Sequence, residues 1–218
     1  MNRAFWTDRR VTGSFLVAGL LIGLMAVVIM FASGAAPGFA AVGGALDAMA
    51  PYADTFRLLN GIYSATWIFL LLGLALLARL LARAGEEQLA LLVFTLALVT
   101  GITGVLHGAF HVSLTTWAAE EAGRTGSIPE IYQPLRDWAN GAHRLGYIGS
   151  FTAMILIGWG ILRTGLLAPA LGWAAIGWSV IWLIAFVLRI GGAPAVPFLM
   201  PAVIGVALLV QKNHSEAR

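Results

Sequence analysis

No Asp, Glu, Lys or Arg lies between Arg10 and Asp47, and the stretch opens with a long apolar run over residues 11–33. About 20 mostly apolar residues suffice for a helix to cross the ~30 Å hydrocarbon layer of a bilayer. Lipid gives backbone N–H and C=O groups no partner, so such a run must close its own hydrogen bonds as a helix. The same pattern returns at about residues 58–77, 89–117, 138–162, 168–188 and 196–210, the last of these short and broken by Pro197 and Pro201. The sequence therefore predicts an all-α integral membrane bundle of six transmembrane helices, one domain over residues 1–218.

Composition agrees. Hydrophobic residues make up 60% of the chain and charged residues 11%, against about 45–50% and 25% in soluble domains. With a mean hydropathy of +0.87, this much apolar surface exceeds what a soluble domain hides. That excludes a soluble enzyme, a disordered chain and a free nucleic-acid binder. The absence of Cys excludes disulfides, thiolate metal sites and a Cys nucleophile. A net charge of +3 is an arginine bias, not a nucleic-acid footprint.

Arg3, Arg9 and Arg10 ahead of an apolar run that ends at Ala32-Ser33-Gly34-Ala35 also have the layout of a secretory signal. The run is read here as retained, as the first membrane helix. With the amino terminus in the cytoplasm, Arg3, Arg9, Arg10, Arg79, Arg83, Arg163, Lys212 and Arg218 lie inside. Arg57, Arg124, Arg136, Arg144 and Arg189 lie outside. This eight-to-five excess follows the positive-inside rule. Both termini are then cytoplasmic, as expected for a bacterial inner-membrane protein. The connections at residues 84–88 and 164–167 are inner turns. The outer loops, 34–57 and 118–137, are long. In the first, Phe39, Val42, Leu46 and Met49 recur at helical spacing and predict a short interfacial helix. The second carries most of the outer charge, with Gly123, Gly126, Pro129 and Pro134 as breakers.

Ionisable residues inside a span are costly and mark candidate sites. His107 and His111 lie four apart on one helical face with Thr100, Gly104 and Gly108, and Gly104-xxx-Gly108 is a close-packing pattern. Asn140, His143, Tyr147 and Ser150 form a stripe on the fourth span. Counted from Trp117 and Trp138, His111 and His143 fall at similar depths, with His107 one turn deeper. Arg57, Asn60 and Tyr63 on the second span, Arg144 beside His143, and Arg189 at the end of the fifth collect at the same outer end. Trp6, Trp117 and Trp138 read as belt anchors. Trp159, Trp173, Trp178 and Trp182 read as core or lipid-facing residues.

Three readings of the histidines stand side by side. They hydrogen-bond neighbouring helices, with Asn60, Asn140, Tyr63 or Tyr147 as partners, each bond contributing about 0.6 kcal/mol. Or His107, His111 and His143 bind a cofactor: Zn or Cu, with Glu120 or Glu121 completing the shell, b-type haem between two helices, or a chlorophyll-type pigment on one His. Or Arg57, Arg144 and Arg189 hold an anion or lipid headgroup while the aromatics hold its tail. HxxxH lacks the intervening Glu of a zinc-protease motif, and neither a nucleophile motif nor a phosphate loop accompanies it.

The layout resembles an uncharacterised bacterial multi-pass family, domain of unknown function 4386. The likeness lies in Arg57-Leu58-Leu59-Asn60-Gly61 opening the second helix and His143-Arg144-Leu145-Gly146-Tyr147 near the start of the fourth. It extends to the turn Gly165-Leu166-Leu167-Ala168-Pro169-Ala170-Leu171-Gly172, and covers about residues 12–210. Ala168-Pro169, in place of a tighter Leu-Pro turn, and the His107/His111 pair depart from it. The resemblance implies a six-span fold and says nothing about an activity. The expected function is non-catalytic: a membrane subunit or binding protein with an outer-leaflet pocket for a lipophilic ligand, a cofactor, or partner subunits, including a second copy. The alternative is a haem- or metal-dependent redox enzyme built on the three histidines.

Overall fold

A computed structural model describes residues 3–33, 46–188 and 195–211, and among them every regular element is a helix. The elements are α1 (Arg3–Ala32), a single turn α2 (Leu46–Met49) continued by a 3-10 turn (Ala50–Tyr52), α3 (Ala53–Arg83), and α4 (Glu87–Phe110). A π-helical turn (His111–Thr115) then leads into α5 (Thr116–Thr125), followed by α6 (Tyr132–Thr164), α7 (Pro169–Val187) and α8 (Val196–Val210). Among the described residues five helical stretches are long and apolar enough to cross a membrane: Thr7–Ala32, Ala50–Arg83, Glu87–Thr125, Tyr132–Thr164 and Pro169–Val187. The chain is an all-helical bundle with the make-up of a multi-pass membrane protein. α8 has 15 residues, about 22 Å of helix at 1.5 Å per residue.

The bundle closes through small residues. α1 and α8 run antiparallel, and a Cβ on Gly13 would stand 2.6 Å from the Gly205 carbonyl oxygen. α6 and α7 meet the same way at Gly158 and Gly172. Where hydrocarbon surrounds the helices, close van der Waals packing of this kind replaces the hydrophobic drive of a soluble core. Buried polar contacts fix one end. Arg9 is buried and donates to Leu166 O at 3.0 Å and to the side chain of Gln211. Asp8 pairs with Arg83, and Arg163 with Glu86 at 2.9 Å. The start of α1, both tight turns and the end of α8 therefore share one end of the bundle.

The opposite end departs from the sequence expectation. Most of residues 118–137 is helix, not loop: α5 runs to Thr125 and α6 begins at Tyr132, which leaves residues 126–131 as the connection. The polarity of Glu120, Glu121 and Arg124 lies on the outer face of α5, while Ala118, Ala119 and Ala122 are buried. Gly123 is helical, and Gly126 ends the helix with φ +73°, a left-handed cap that glycine adopts without strain. Pro134 sits in the first turn of α6, where a missing N–H costs no helical hydrogen bond. Of the expected interfacial helix, Leu46 and Met49 are buried in α2 against α5. Phe39 and Val42 lie outside the described residues.

Two apolar clusters result. The larger holds Leu16, Trp67, Leu74, Leu77, Phe151, Met154, Ile157 and Ile204 along the bundle axis. The smaller, at the end capped by α2 and α5, holds Met30, Met49, Phe56, Phe110, Ala122 and Tyr132.

Candidate functional site

The histidines sit at the seam of these two clusters. His111 meets Phe56 and Phe110 of the smaller, with ring centroids 6.1 and 5.4 Å apart. His143 meets Trp67 at 5.5 Å and Tyr147 at 4.6 Å, both edge-on, in the larger. His107 joins the two. Its ring stacks on that of His143, with centroids 3.8 Å apart and planes 13° from parallel. Its Nε2 lies 3.1 Å from Nε2 of His111.

Local helix chemistry produces this arrangement. Gly104 and Gly108 let α4 approach α3: a Cβ on Gly104 would run into the Trp67 indole, and one on Gly108 into the Ser64 side chain. The expected close packing of that glycine pair is what the structure shows. α4 and α6 then run antiparallel, with Gly149 against Thr100, Gly146 against Thr103 and His143 against His107. This register corrects the depth reckoning. His143 is level with His107, not with His111, because Trp117 and Trp138 lie on helices that extend to different lengths beyond the seam. Beyond His107 the helix widens into the π-helical turn. The Thr116 hydroxyl donates to Val112 O at 2.7 Å and to Ser113 O at 2.9 Å, satisfying carbonyls near the irregular turn. Turns of this type recur at functional sites.

The hydrogen bonds assign the ring protons. One proton occupies the bond between the two Nε2 atoms, so at least one of the two rings is neutral. His107 Nδ1 lies 3.3 Å from Ala139 O, which only accepts, so His107 carries its proton on Nδ1. In its neutral form, Nε2 of His107 is then bare and accepts from His111 Nε2–H. Nδ1 of neutral His111 in turn accepts from the Thr115 hydroxyl at 3.1 Å. The result is a directed chain, Thr115 to His111 to His107 to the α6 backbone, in which every ring nitrogen of the pair has a partner. His143 differs: its Nδ1 is buried without a hydrogen-bond partner among the described residues, as is Nε1 of the fully buried Trp67.

Of the remaining expected site residues, Tyr147 reaches this seam, against His143 and Trp67, and the others lie elsewhere. Arg57 is spread over two carboxylates, Asp54 at 2.7 Å and Glu120 at 3.0 Å, on the exposed rim between α3 and α5. Arg144 is exposed, and Arg189 lies outside the described residues. Asn60 is buried but donates to Phe56 O of its own helix at 2.9 Å. Asn140 is half-buried one turn before His143. Tyr63 packs edge-on against Phe198 at 6.4 Å, and Tyr147 stacks on Phe186 at 5.1 Å. The partners of His107 and His111 are thus Ala139, Thr115 and each other, in place of Asn60, Asn140, Tyr63 or Tyr147. Thr115 was open to detection at its i+4 spacing from His111. Trp67 was foreshadowed by the two glycines that need a large residue opposite them.

Among the described residues no group of three His, Cys, Asp or Glu side chains is arranged to hold a metal ion. Parallel stacking is the reason for the histidines: a metal in the plane of the His107 ring is out of reach of a ring lying 3.8 Å above it. The same stacking leaves no space for a haem plate between His107 and His143. Glu120 is engaged with Arg57 and Glu121 with Arg124, at 2.6 Å for the latter. No family model matches the chain, nor does any curated protein or solved structure.

Proposed function

We propose that this chain is a six-span protein of the bacterial inner membrane that catalyses no reaction. It acts as a membrane subunit or binding protein whose site, at the histidine seam, takes a lipophilic ligand. Two of the three buried ring nitrogens that lack a partner among the described residues, Trp67 Nε1 and His143 Nδ1, lie together at this seam and carry this reading. An unsatisfied buried polar group costs about 1–3 kcal/mol. A ligand that brings a hydrogen-bond acceptor offsets that cost at Trp67, whose N–H only donates. The half-buried His107, His111 and His143 give the seam a polar edge within an otherwise apolar bundle. The orientation with both ends inside is supported by Arg9, Arg79, Arg83 and Arg163 at the end that holds both tight turns, with Glu120, Glu121 and Asp137 at the other.

The test is extraction and mass spectrometry of small lipophiles that co-purify from the native membrane. Wild-type protein is expected to carry one species near one per chain. Trp67→Phe keeps an aromatic six-membered ring but removes the N–H together with the rest of the pyrrole ring, and is expected to lower its occupancy several-fold. Equal occupancy in wild type and W67F, or no such species in wild type, refutes the reading.

A further inference from the structure

We propose that His107 and His111 form a two-nitrogen site for a borderline divalent cation such as Zn2+ or Co2+, bound between their Nε2 atoms. This site lies in the same seam, but the inference does not rest on the ligand reading above, whose hydrogen-bonding atoms are Trp67 Nε1 and His143 Nδ1. Bonds of about 2.0–2.1 Å to a tetrahedral Zn2+ place two ligand nitrogens about 3.3 Å apart. The two Nε2 atoms already face each other at 3.1 Å, so a few tenths of an ångström of opening reaches that separation, and a turn of each ring aims its lone pair at an ion lying beside the line between them. Histidine ligands are normally steered by a partner on the other ring nitrogen, often a backbone carbonyl. Both rings have one: Ala139 O at 3.3 Å from Nδ1 of His107, and Thr115 Oγ1 at 3.1 Å from Nδ1 of His111.

The proton balance is simple for the neutral pair. His107 already carries its proton on Nδ1 and presents a bare Nε2. His111 moves its single proton from Nε2 to Nδ1, where it is donated to Thr115 Oγ1, and the hydroxyl turns from donor to acceptor in that bond. Both Nε2 lone pairs then face the ion and no net proton is released. His143 is not a ligand, because its ring is parallel to that of His107 at 3.8 Å and out of the metal's reach. The remaining coordination positions fall to water or an added small ligand, as in metal sites that keep an open position.

The experiment uses the full chain in detergent, stripped of metal and titrated with Zn2+, with bound metal counted by elemental analysis, and with Co2+ absorption as the second readout. Wild type is expected to bind one Zn2+ per chain. His107→Ala and His111→Ala are expected each to weaken binding at least tenfold, and His143→Ala to leave it within about twofold. Thr115→Val preserves the shape of a buried side chain and removes the outer partner of His111. It is expected to weaken binding about 10–100-fold, and it keeps the test decisive if a histidine variant does not fold. The proposal is overturned if wild type takes up no stoichiometric Zn2+, or if H111A or T115V binds as wild type does. Loss of the metal from H143A with helix content and elution unchanged also overturns it.

Discussion

Replacing Gly104 by Ala isolates what holds the histidine seam together. A Cβ there would overlap the Trp67 indole. That ring cannot swing aside, because it is fully buried and wedged between His143 at 5.5 Å and Phe198 at 4.9 Å. Overpacking of this kind costs about 1–3 kcal/mol. Ala also favours helix over Gly by about 1 kcal/mol, so the net expectation is a loss of about 0–2 kcal/mol. Gly177, inside α7, has nothing within 4 Å of its would-be Cβ, so Gly177→Ala gains the helix preference without the clash. The difference between the two variants removes the preference and leaves the overpacking cost of about 1–3 kcal/mol. Reversible unfolding in mixed micelles, followed by helix signal, measures both. Tryptophan emission is expected to shift in G104A alone. If G104A and G177A change stability equally, α4 does not rest on Trp67 as described, and the register that brings His143 to His107 falls with it.

Reporter fusions after Gln88 and Gly165 are expected to report cytoplasm, and fusions near Gly44 and Gly126 the outside; an outside signal at Gly165 reverses the orientation. Limited proteolysis is expected to cut first within residues 126–131, since Thr116–Thr125 is helical, and first cleavage inside α5 contradicts a helical cap. Arg57→Ala is expected to change stability by less than about 1 kcal/mol, because its two ion pairs lie on an exposed rim. A larger loss, or loss of a bound lipophile, restores Arg57 to the site. Arg9→Gln is expected to cost about 1–3 kcal/mol, the scale of buried charge-assisted hydrogen bonds, because Arg9 ties Leu166 O to Gln211 from a buried position. Unchanged unfolding of this variant removes Arg9 as the clamp of that end.

The apolar runs made the long helices legible because hydrophobic length alone decides what spans a bilayer. The histidine pair was legible because i, i+4 spacing puts two side chains on one face whatever surrounds them. What could not be read was the relation between helices. The depth of His143 relative to His107 depends on how far α4 and α6 project past the seam, and the polar residues of α5 disguised that projection as a loop. Glu120, Glu121 and Arg124 look alike in sequence whether they coat a loop or one face of a helix; only burial of Ala118, Ala119 and Ala122 separates the two. The Arg57 contacts depend on the same element, since Glu120 reaches it only because α5 is a helix that turns its acid toward α3.

Stability alone gives little reason for the three imidazoles. Interhelical polar bonds in membranes contribute about 0.6 kcal/mol on average, and the His107 bond to Ala139 O spans 3.3 Å. Ala139 lies inside α6, where its carbonyl is an ordinary helical acceptor and does not require a side-chain donor. The His107–His111 bond satisfies a need that the two rings themselves create. Thr115 has the option, common to threonines in helices, of bonding its own backbone, as Thr116 does next to it. An apolar side chain of similar volume at positions 107 and 111 would fill the seam with no polar atom left to match. The chain instead keeps two facing nitrogens, steers each ring from its far side, and places the pair at the start of a helical irregularity. That combination matches the geometry for holding an ion better than it matches the needs of packing.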